Sequence, residues 1–138
     1  MAIDKFPFTT DAFGISRPYL AIRIHNPHTG KSVLSYGLVD TGADDCAIPA
    51  EYARILGHDL LKGQSRKINT GNGETNAYQH TTQFDILHPR SSNILYKTNN
   101  VPIDYLPNLS VVLIGVRSFL SEFILTIDYP NKLFSIKK

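Results

Sequence analysis

A chain of 138 residues with 42% hydrophobic and 19% charged residues is ordinary for one folded domain with a real core. Its formal net charge of +2, spread without any run of lysine or arginine, argues against a nucleic-acid partner. No apolar stretch approaches the roughly 18 residues of a membrane span, the single cysteine rules out an internal disulfide, and the N-terminus lacks the apolar core of a signal peptide. We therefore expect a cytoplasmic protein with no membrane partner.

Most predicted elements are β-strands. Short apolar segments, alternating or continuous, are bounded by Gly, Pro, Asn and Ser, which is the pattern of strands joined by turns. In chain order, the predicted strands cover residues 19–24, 33–39, 65–69, 77–87, 93–98, 101–104, 111–115, 124–128 and 132–136. The first two strands and the last two strands are each predicted to form a hairpin.

Two short helices are predicted between the strands. The first covers 49–56, where Pro49 suits the first turn and Gly57 can end the helix. The second covers 118–123, with Ser118 as its N-cap. Many short strands with few helices indicate an all-β fold, either a small closed barrel or a sandwich.

A glycine-rich segment, Thr70-Gly71-Asn72-Gly73-Glu74, joins the strands predicted over 65–69 and 77–87. A Gly-Asn-Gly tip accepts positive φ angles and moves at small energetic cost. The segment lacks the Gly-Lys-Ser/Thr of a phosphate-binding loop, so nucleotide binding is not predicted. On these residues alone, an ordinary hairpin turn and a mobile flap both stay open.

The tripeptide Asp40-Thr41-Gly42 is the motif with the most chemical content, and it follows directly on a predicted buried strand. This position puts a carboxylate at the mouth of a core, with a hydroxyl from Thr41 beside it and a glycine that lets another backbone approach. Aspartic proteases use this arrangement with two carboxylates. Because the motif occurs once, such a protein would have to work as a symmetric dimer. A polar turn that closes a strand is the plainer alternative.

The segment from Leu38 to Asp45, with Ile48-Pro49 after it, resembles the retroviral-type aspartic proteases, or retropepsins. The family pattern apolar-apolar-Asp-Thr/Ser-Gly-Ala-Asp is matched at every position. A glycine-tipped hairpin over 65–87 and an apolar strand ending in Ile114-Gly115 before a C-terminal helix are further family features. Together these features extend over about 18–136, so one retropepsin-like domain is expected for the whole chain.

The resemblance implies an all-β fold, a small closed retropepsin-like β-barrel with a flap hairpin and one or two short helices, forming a two-fold symmetric homodimer. It also implies an aspartic endopeptidase that acts on peptides or proteins with no metal and no organic cofactor. The implied catalytic residues are Asp40, Thr41 and Gly42. The implied substrate-binding residues are Ala43, Asp44, Asp45, Gly71, Asn72, Gly73 and Ile114. Further cleft side chains are expected from 101–106 and 111–116, many of them apolar.

Some points are left open by the sequence. Arg117 stands one place later than the family arginine, so the resemblance does not decide whether it braces Asp44. Cys46 is expected to be a small buried side chain, and neither His25 nor His28 has an acidic neighbour in the sequence that would indicate a metal site. A catalytically silent dimer that binds peptide or protein in the same cleft, and a small barrel of unrelated function, are the alternative interpretations.

Overall fold

The computed structural model of the protein describes residues 1–71 and 73–138. Within these ranges there is one α-helix, α1 (Glu51–Ile55), and there are two 3₁₀ helices, Leu60–Lys62 and Leu120–Glu122. The strands are β1 (Ala2–Pro7), β2 (Thr9–Thr10), β3 (Ser16–Arg17), β4 (Tyr19–His25), β5 (Ser32–Val39), β6 (Ala47–Pro49), β7 (Gln64–Thr70), β8 (Gly73–Leu87), β9 (Ile94–Lys97), β10 (Val101–Leu106), β11 (Val112–Ile114), β12 (Ile124–Asp128) and β13 (Leu133–Lys137).

Six strands close into a ring. They are hydrogen-bonded in the order β10, β6, β11, β5, β4 and β8, and β10 pairs with β8 again to complete the circuit. The 15 residues of β8 make this closure possible, because its first part pairs with β7, its middle with β10 and its last part with β4 and β9. The closed arrangement satisfies strand edges that would otherwise be free, and it agrees with the predicted small barrel.

The core combines buried side chains of the ring with side chains of β1, β13 and the 3₁₀ helix Leu120–Glu122, and on the ring strands it follows largely from the alternation of side chains. On β4, Leu20, Ile22 and Ile24 are buried, while the residues between them are partly exposed. Phe84 and Ile86 on β8 are buried as well, but there the alternation is interrupted because Asp85 and Leu87 are also buried. Each such side chain contributes roughly 1.5–3 kcal/mol when it leaves water, so the apolar face of the barrel strands is the main source of stability. Within the described ranges, no helix is both long and apolar enough to span a membrane.

The first helix is shorter than predicted. The predicted hairpin of β4 and β5 is confirmed, but α1 begins at Glu51 because Pro49 is still part of β6, where it pairs with Leu106. The end of the helix is as predicted: Gly57 has a φ of +78°, and its N–H donates to the carbonyl oxygen of Arg54. The left-handed conformation of the glycine ends the helix with the hydrogen bonds of a Schellman motif.

Two further predicted boundaries are corrected. β8 begins at Gly73, not at residue 77, because it pairs with β7 from the Thr70–Gly73 pair onwards. Instead of an α-helix over 118–123 there is a short 3₁₀ helix, and Ser118 does not cap it. The Ser118 hydroxyl accepts a hydrogen bond from the backbone N–H of Cys46 at 2.9 Å instead. The terminal hairpin of β12 and β13 is confirmed.

The N-terminal segment forms strands that the sequence did not predict. β1 pairs with β13 and makes a three-stranded sheet with β12, and β2 pairs with β3. The register of β1 shifts between Ile3 and Phe6, where Lys5 has a φ of 51°. This bulge breaks the two-residue alternation, which explains why the periodicity of the sequence did not reveal the strand.

Three aromatic rings pack beside α1 and β8. His58 stacks on His80 with ring centroids 4.4 Å apart, and both rings meet Tyr105 edge-on. The Nδ1 atom of His58 lies 3.3 Å from the Nδ2 atom of Asn26. Burial, with smaller contributions from the nearby histidines, lowers the pKa of His58 from 6.5 to about 4. The folded protein therefore holds this ring neutral at a pH where the unfolded chain would protonate it.

We expect His58 to weaken the protein in mild acid. Its folded pKa is below its unfolded value, so its contribution to stability is complete above pH 6.5 and is lost as the pH falls towards about 4. Allowing for solvent screening, the loss is on the order of 1–2 kcal/mol. Urea unfolding measured between pH 4 and 7 should give a shallower pH dependence for His58→Phe, which keeps an aromatic ring beside His80. Equal slopes for the two proteins would contradict the assignment.

Candidate active site

An open cleft of about 480 Å³ runs between the β7–β8 hairpin, the end of β5 and the strands β6, β10 and β11. Both charged and apolar side chains line it. The lining residues are Asp40, Gly42, Ala43, Asp44, Asp45, Cys46, Ala47, Arg66, Ile68, Asn69, Thr70, Gly71, Asp104, Leu106, Leu113 and Arg117. Most of the residues predicted to act on a substrate therefore lie around one cleft.

Asp40 lies at the floor of this cleft, directly after β5. Its backbone N–H donates to the carbonyl oxygen of Ile114 at 3.1 Å, which continues the parallel pairing of β5 and β11 by one residue. The backbone N–H of Gly42 donates to Asp40 Oδ1 at 2.9 Å, and the Ala43 N–H donates to the Asp40 carbonyl oxygen. These bonds fix the carboxylate in a tight turn where it is half-buried and reachable from the cleft.

The segment 40–46, here called the Asp40 loop, is held against residues 115–118 by the backbone. The N–H of Val116 donates to the Ala43 carbonyl oxygen at 3.0 Å, and the N–H of Arg117 donates to the Asp44 carbonyl oxygen at 2.7 Å. At the end of the loop, the N–H of Gly115 donates to the sulfur of Cys46 at 3.3 Å. The second half of the loop is therefore hydrogen-bonded to the barrel. This attachment also restrains the position of the Asp40 carboxylate.

Gly115 allows the loop and the strand to approach so closely. A Cβ atom at this position would lie 2.3 Å from both the carbonyl carbon and the carbonyl oxygen of Asp45, and 2.8 Å from the backbone nitrogen of Cys46. These are backbone atoms, so no side-chain rotation could relieve the clash. The glycine at the end of the apolar strand is thus required by packing against the Asp40 loop.

The Arg117 side chain binds Asp45, not Asp44. Its Nη2 atom donates to Asp45 Oδ2 at 2.9 Å, while its backbone N–H reaches the Asp44 carbonyl oxygen. Asp44 itself is exposed and lines the cleft. Arg117 therefore does not brace Asp44 with its side chain. Because this arginine stands one place later than the family arginine, its ion pair forms with the next aspartate, Asp45.

A second arginine, Arg66 on β7, joins the same group of charges. Its Nε atom donates to Asp104 Oδ1 at 3.2 Å and its Nη2 atom to Asp104 Oδ2, and Nη2 also lies 3.7 Å from Asp45 Oδ2. Hydrogen bonding to Asp104 raises the pKa of the Arg66 guanidinium above its usual value. The sequence did not reveal this pair. The signal available was Asp104, the one charged residue in the strand β10, since a charge in a buried strand requires a partner.

The predicted substrate residues are not all found in the cleft. Gly71 lines it, Gly73 does not, and Asn72 lies outside the described residues. Thr41 is exposed and is not part of the cleft lining. Ile114 is fully buried in the core, and its neighbour Leu113 lines the cleft instead. This corrects the prediction for Ile114, because successive side chains of a strand point to opposite faces.

Two further candidate reactive groups are Cys46, which lines the cleft, and His25, which does not. Cys46 is buried, as predicted, and burial raises the pKa of its thiol. His25 has an acidic partner that the sequence did not reveal, since its Nε2 atom is 2.6 Å from Asp85 Oδ2 on the adjacent strand. Across residues 1–71 and 73–138, no group of three His, Cys, Asp or Glu side chains is arranged to hold a metal ion.

Comparisons with known proteins identify the family and agree with the fold. The family model described as "gag-polyprotein putative aspartyl protease" matches residues 36–121, more than half of the chain. A crystal structure of a retropepsin-like aspartic protease from Rickettsia conorii is similar to the fold, with a TM-score of 0.64 and 26% identity over 96% of this chain and 98% of that one. No curated protein matches the sequence. The chain therefore belongs to the retropepsin-like aspartyl protease family.

Proposed function

We propose that the protein is an aspartic endopeptidase whose active site is completed by a second copy of the chain. The observation that carries this proposal is the Asp40 carboxylate, held by Gly42 at the floor of a large cleft and present once per chain. Peptide hydrolysis of the aspartic type needs two carboxylates that share a proton. A two-fold axis beside Asp40 supplies the second one from an identical subunit.

The chemistry follows from the closeness of two like charges. One carboxylate of the Asp40 pair keeps a proton while the other is ionised, so the two groups titrate as a unit. The ionised carboxylate removes a proton from a water molecule, and the water oxygen attacks the carbonyl carbon of the peptide bond. The protonated carboxylate donates its proton to the carbonyl oxygen, and a proton then passes to the leaving nitrogen.

The exposed residues of the Asp40 loop support a subunit contact there. Thr41 and Gly42 are exposed in the single chain although they flank the proposed catalytic carboxylate. In a dimer, the Thr41 hydroxyl would hydrogen-bond across the axis and align the two loops. Gly42, which has no side chain, would let the substrate backbone pass close to the carboxylates.

The β7–β8 hairpin is proposed to be the flap. It lies over one side of the cleft through Ile68, Asn69 and Gly71, and an extended peptide between this hairpin and the Asp40 loop could form strand-like backbone hydrogen bonds. Asp44 and Asp45 would bind the substrate main chain, and Ala43 would line the floor. Closure of the hairpin would exclude bulk water from the reacting bond.

The proposal is tested by incubating a diverse peptide library with the protein between pH 4 and 7.5 and identifying new termini by mass spectrometry. The rate per chain should fall on dilution below the dimer dissociation constant, and sedimentation equilibrium should show dimers in the active concentration range. Cleavage that is independent of protein concentration in a monomeric sample would overturn the shared site. A folded dimer that binds peptides without cleaving them would favour the silent binding module.

A further inference from the structure

Arg66 connects three parts of the cleft. It lies on β7, the outer strand of the β7–β8 hairpin; its guanidinium holds both carboxylate oxygens of Asp104 on β10, and it approaches Asp45 in the Asp40 loop. Asp45 is bound in turn by Arg117. One side chain therefore links the hairpin to the cleft wall and to the loop that carries the proposed catalytic carboxylate.

Separating Arg66 from Asp104 would cost free energy as long as the Asp104 carboxylate stays buried. The Asp104 side chain is only 6% exposed, whereas that of Arg66 is 44% exposed. A buried carboxylate that loses its partner without gaining water is strongly destabilised. Lifting the part of the hairpin that carries Arg66 would therefore cost the free energy of leaving the buried Asp104 carboxylate unpaired. This cost keeps that part of the hairpin on the barrel.

Ile68 is a second attachment, and beyond it the hairpin is held less firmly. Its side chain packs on Ala47, Ala77 and Leu106. On the tip side, the pairing of β7 and β8 continues to Thr70 and Gly73. The ion pair between Lys67 and Glu74, at 3.5 Å, connects the two strands of the hairpin beside Ile68 and is exposed, and exposed pairs contribute little.

We propose that Arg66 is a positioning residue that sets the fulcrum of the flap, so that the hairpin opens beyond Ile68 while its base stays fixed to the cleft wall. The inference rests on the proposed role of this hairpin as a flap, and it goes further by naming where the flap bends and which residue decides it. A fixed base keeps Asp45 and the cleft wall that carries Asp104 in the same relative position, while movement of the tip lets the peptide enter.

Amide hydrogen exchange tests the fulcrum without relying on activity. In the wild-type protein, amides of the base, residues 64–66 and 77–79, should be protected to a similar degree as those of β4, while amides of 68–70 and 73–75 exchange faster. Arg66→Met leaves Asp104 buried and unpaired, so opening of the base becomes favourable because it lets water reach the carboxylate. We expect exchange of the base amides to accelerate at least about tenfold relative to β4.

Two further variants make the comparison specific. Lys67→Met removes the adjacent exposed ion pair of the same hairpin and should leave the base amides unchanged. Arg66→Met/Asp104→Leu replaces the buried pair by an apolar contact and should restore protection of the base, because no buried charge is then left unpaired. A loss of protection in Arg66→Met that is equal in the base and in β4 would mean that the pair only contributes to global stability, and would overturn the proposal.

Kinetics give a second readout that a purely structural role would not produce. With a peptide identified in the cleavage screen, Arg66→Met should raise KM about tenfold with a much smaller effect on kcat, since the base no longer presents the cleft wall to substrate. A fall in kcat with unchanged KM would also contradict the assignment. If no peptide is cleaved by the wild-type protein, the proposed function fails, while the exchange experiment still decides the position of the fulcrum.

Discussion

Replacing Asp40 with asparagine is expected to reduce peptide hydrolysis by at least on the order of 10³-fold, because asparagine can neither take a proton from water nor return one to the substrate. The fold should be unaffected, since the side-chain amide oxygen can still accept the hydrogen bond from the Gly42 N–H that now reaches Asp40 Oδ1. Dimer formation and peptide binding should therefore remain close to those of the wild-type protein. Rates from matched amounts of each protein, with sedimentation as a control, provide the measurement.

Mixing the two proteins distinguishes a shared site from two independent ones. After subunits exchange at equal proportions, about one quarter of the dimers contain two Asp40 carboxylates. Activity should then fall to about one quarter of that of the same total concentration of wild-type protein, whereas a site within one chain would retain about half. A result of one half would refute the composite site even if Asp40→Asn alone were inactive.

Substituting Gly115 by alanine is expected to cause the largest loss of stability, about 3 kcal/mol or more. The added Cβ would lie 2.3 Å from backbone atoms of Asp45, so either β11 or the Asp40 loop must move. Movement would break the hydrogen bonds between Ala43–Val116 and Asp44–Arg117 that hold the loop. Urea denaturation should show a lower midpoint, and activity should fall with it because the Asp40 carboxylate depends on the same loop.

Gly71→Ala is the matched control for this prediction. Nothing lies within 4 Å of a Cβ atom built at Gly71, so the same chemical change is made in open space. Its unfolding midpoint should stay close to that of the wild-type protein. Similar midpoints for Gly71→Ala and Gly115→Ala would mean that the loop can leave the strand at little cost, contrary to the packing described above.

The parts of the fold that the sequence predicted are those determined by neighbouring residues. The β4–β5 hairpin follows from alternation and a glycine turn, and the position of Asp40 follows from a motif placed directly after an apolar strand. The end of α1 at Gly57 is likewise determined by neighbouring residues. By contrast, β1 was missed because its bulge interrupts the alternation, and the start of α1 was set by the pairing of Pro49 with Leu106, which lies far along the chain.

The chemistry of the cleft was predictable only in part for a similar reason. The family pattern identified the Asp40 loop, but the partners of its charges come from distant strands. Arg66 and Asp104 are 38 positions apart, and Arg117 is 72 positions from Asp45. Which arginine binds which aspartate is decided by how β7, β10 and the segment after β11 pack together. Ile114 was misassigned by one residue, which in a strand reverses the face.

Chemical labelling of the single cysteine can report how often the Asp40 loop separates from the barrel. Cys46 ends the Asp40 loop, is buried, and accepts the Gly115 N–H on its sulfur. A thiol reagent can reach it only when the loop separates from the strand or when the whole chain unfolds. The rate of labelling in the native protein therefore reports how often the loop opens. A peptide that binds in the cleft should slow the labelling, and this gives a binding assay that needs no engineered label.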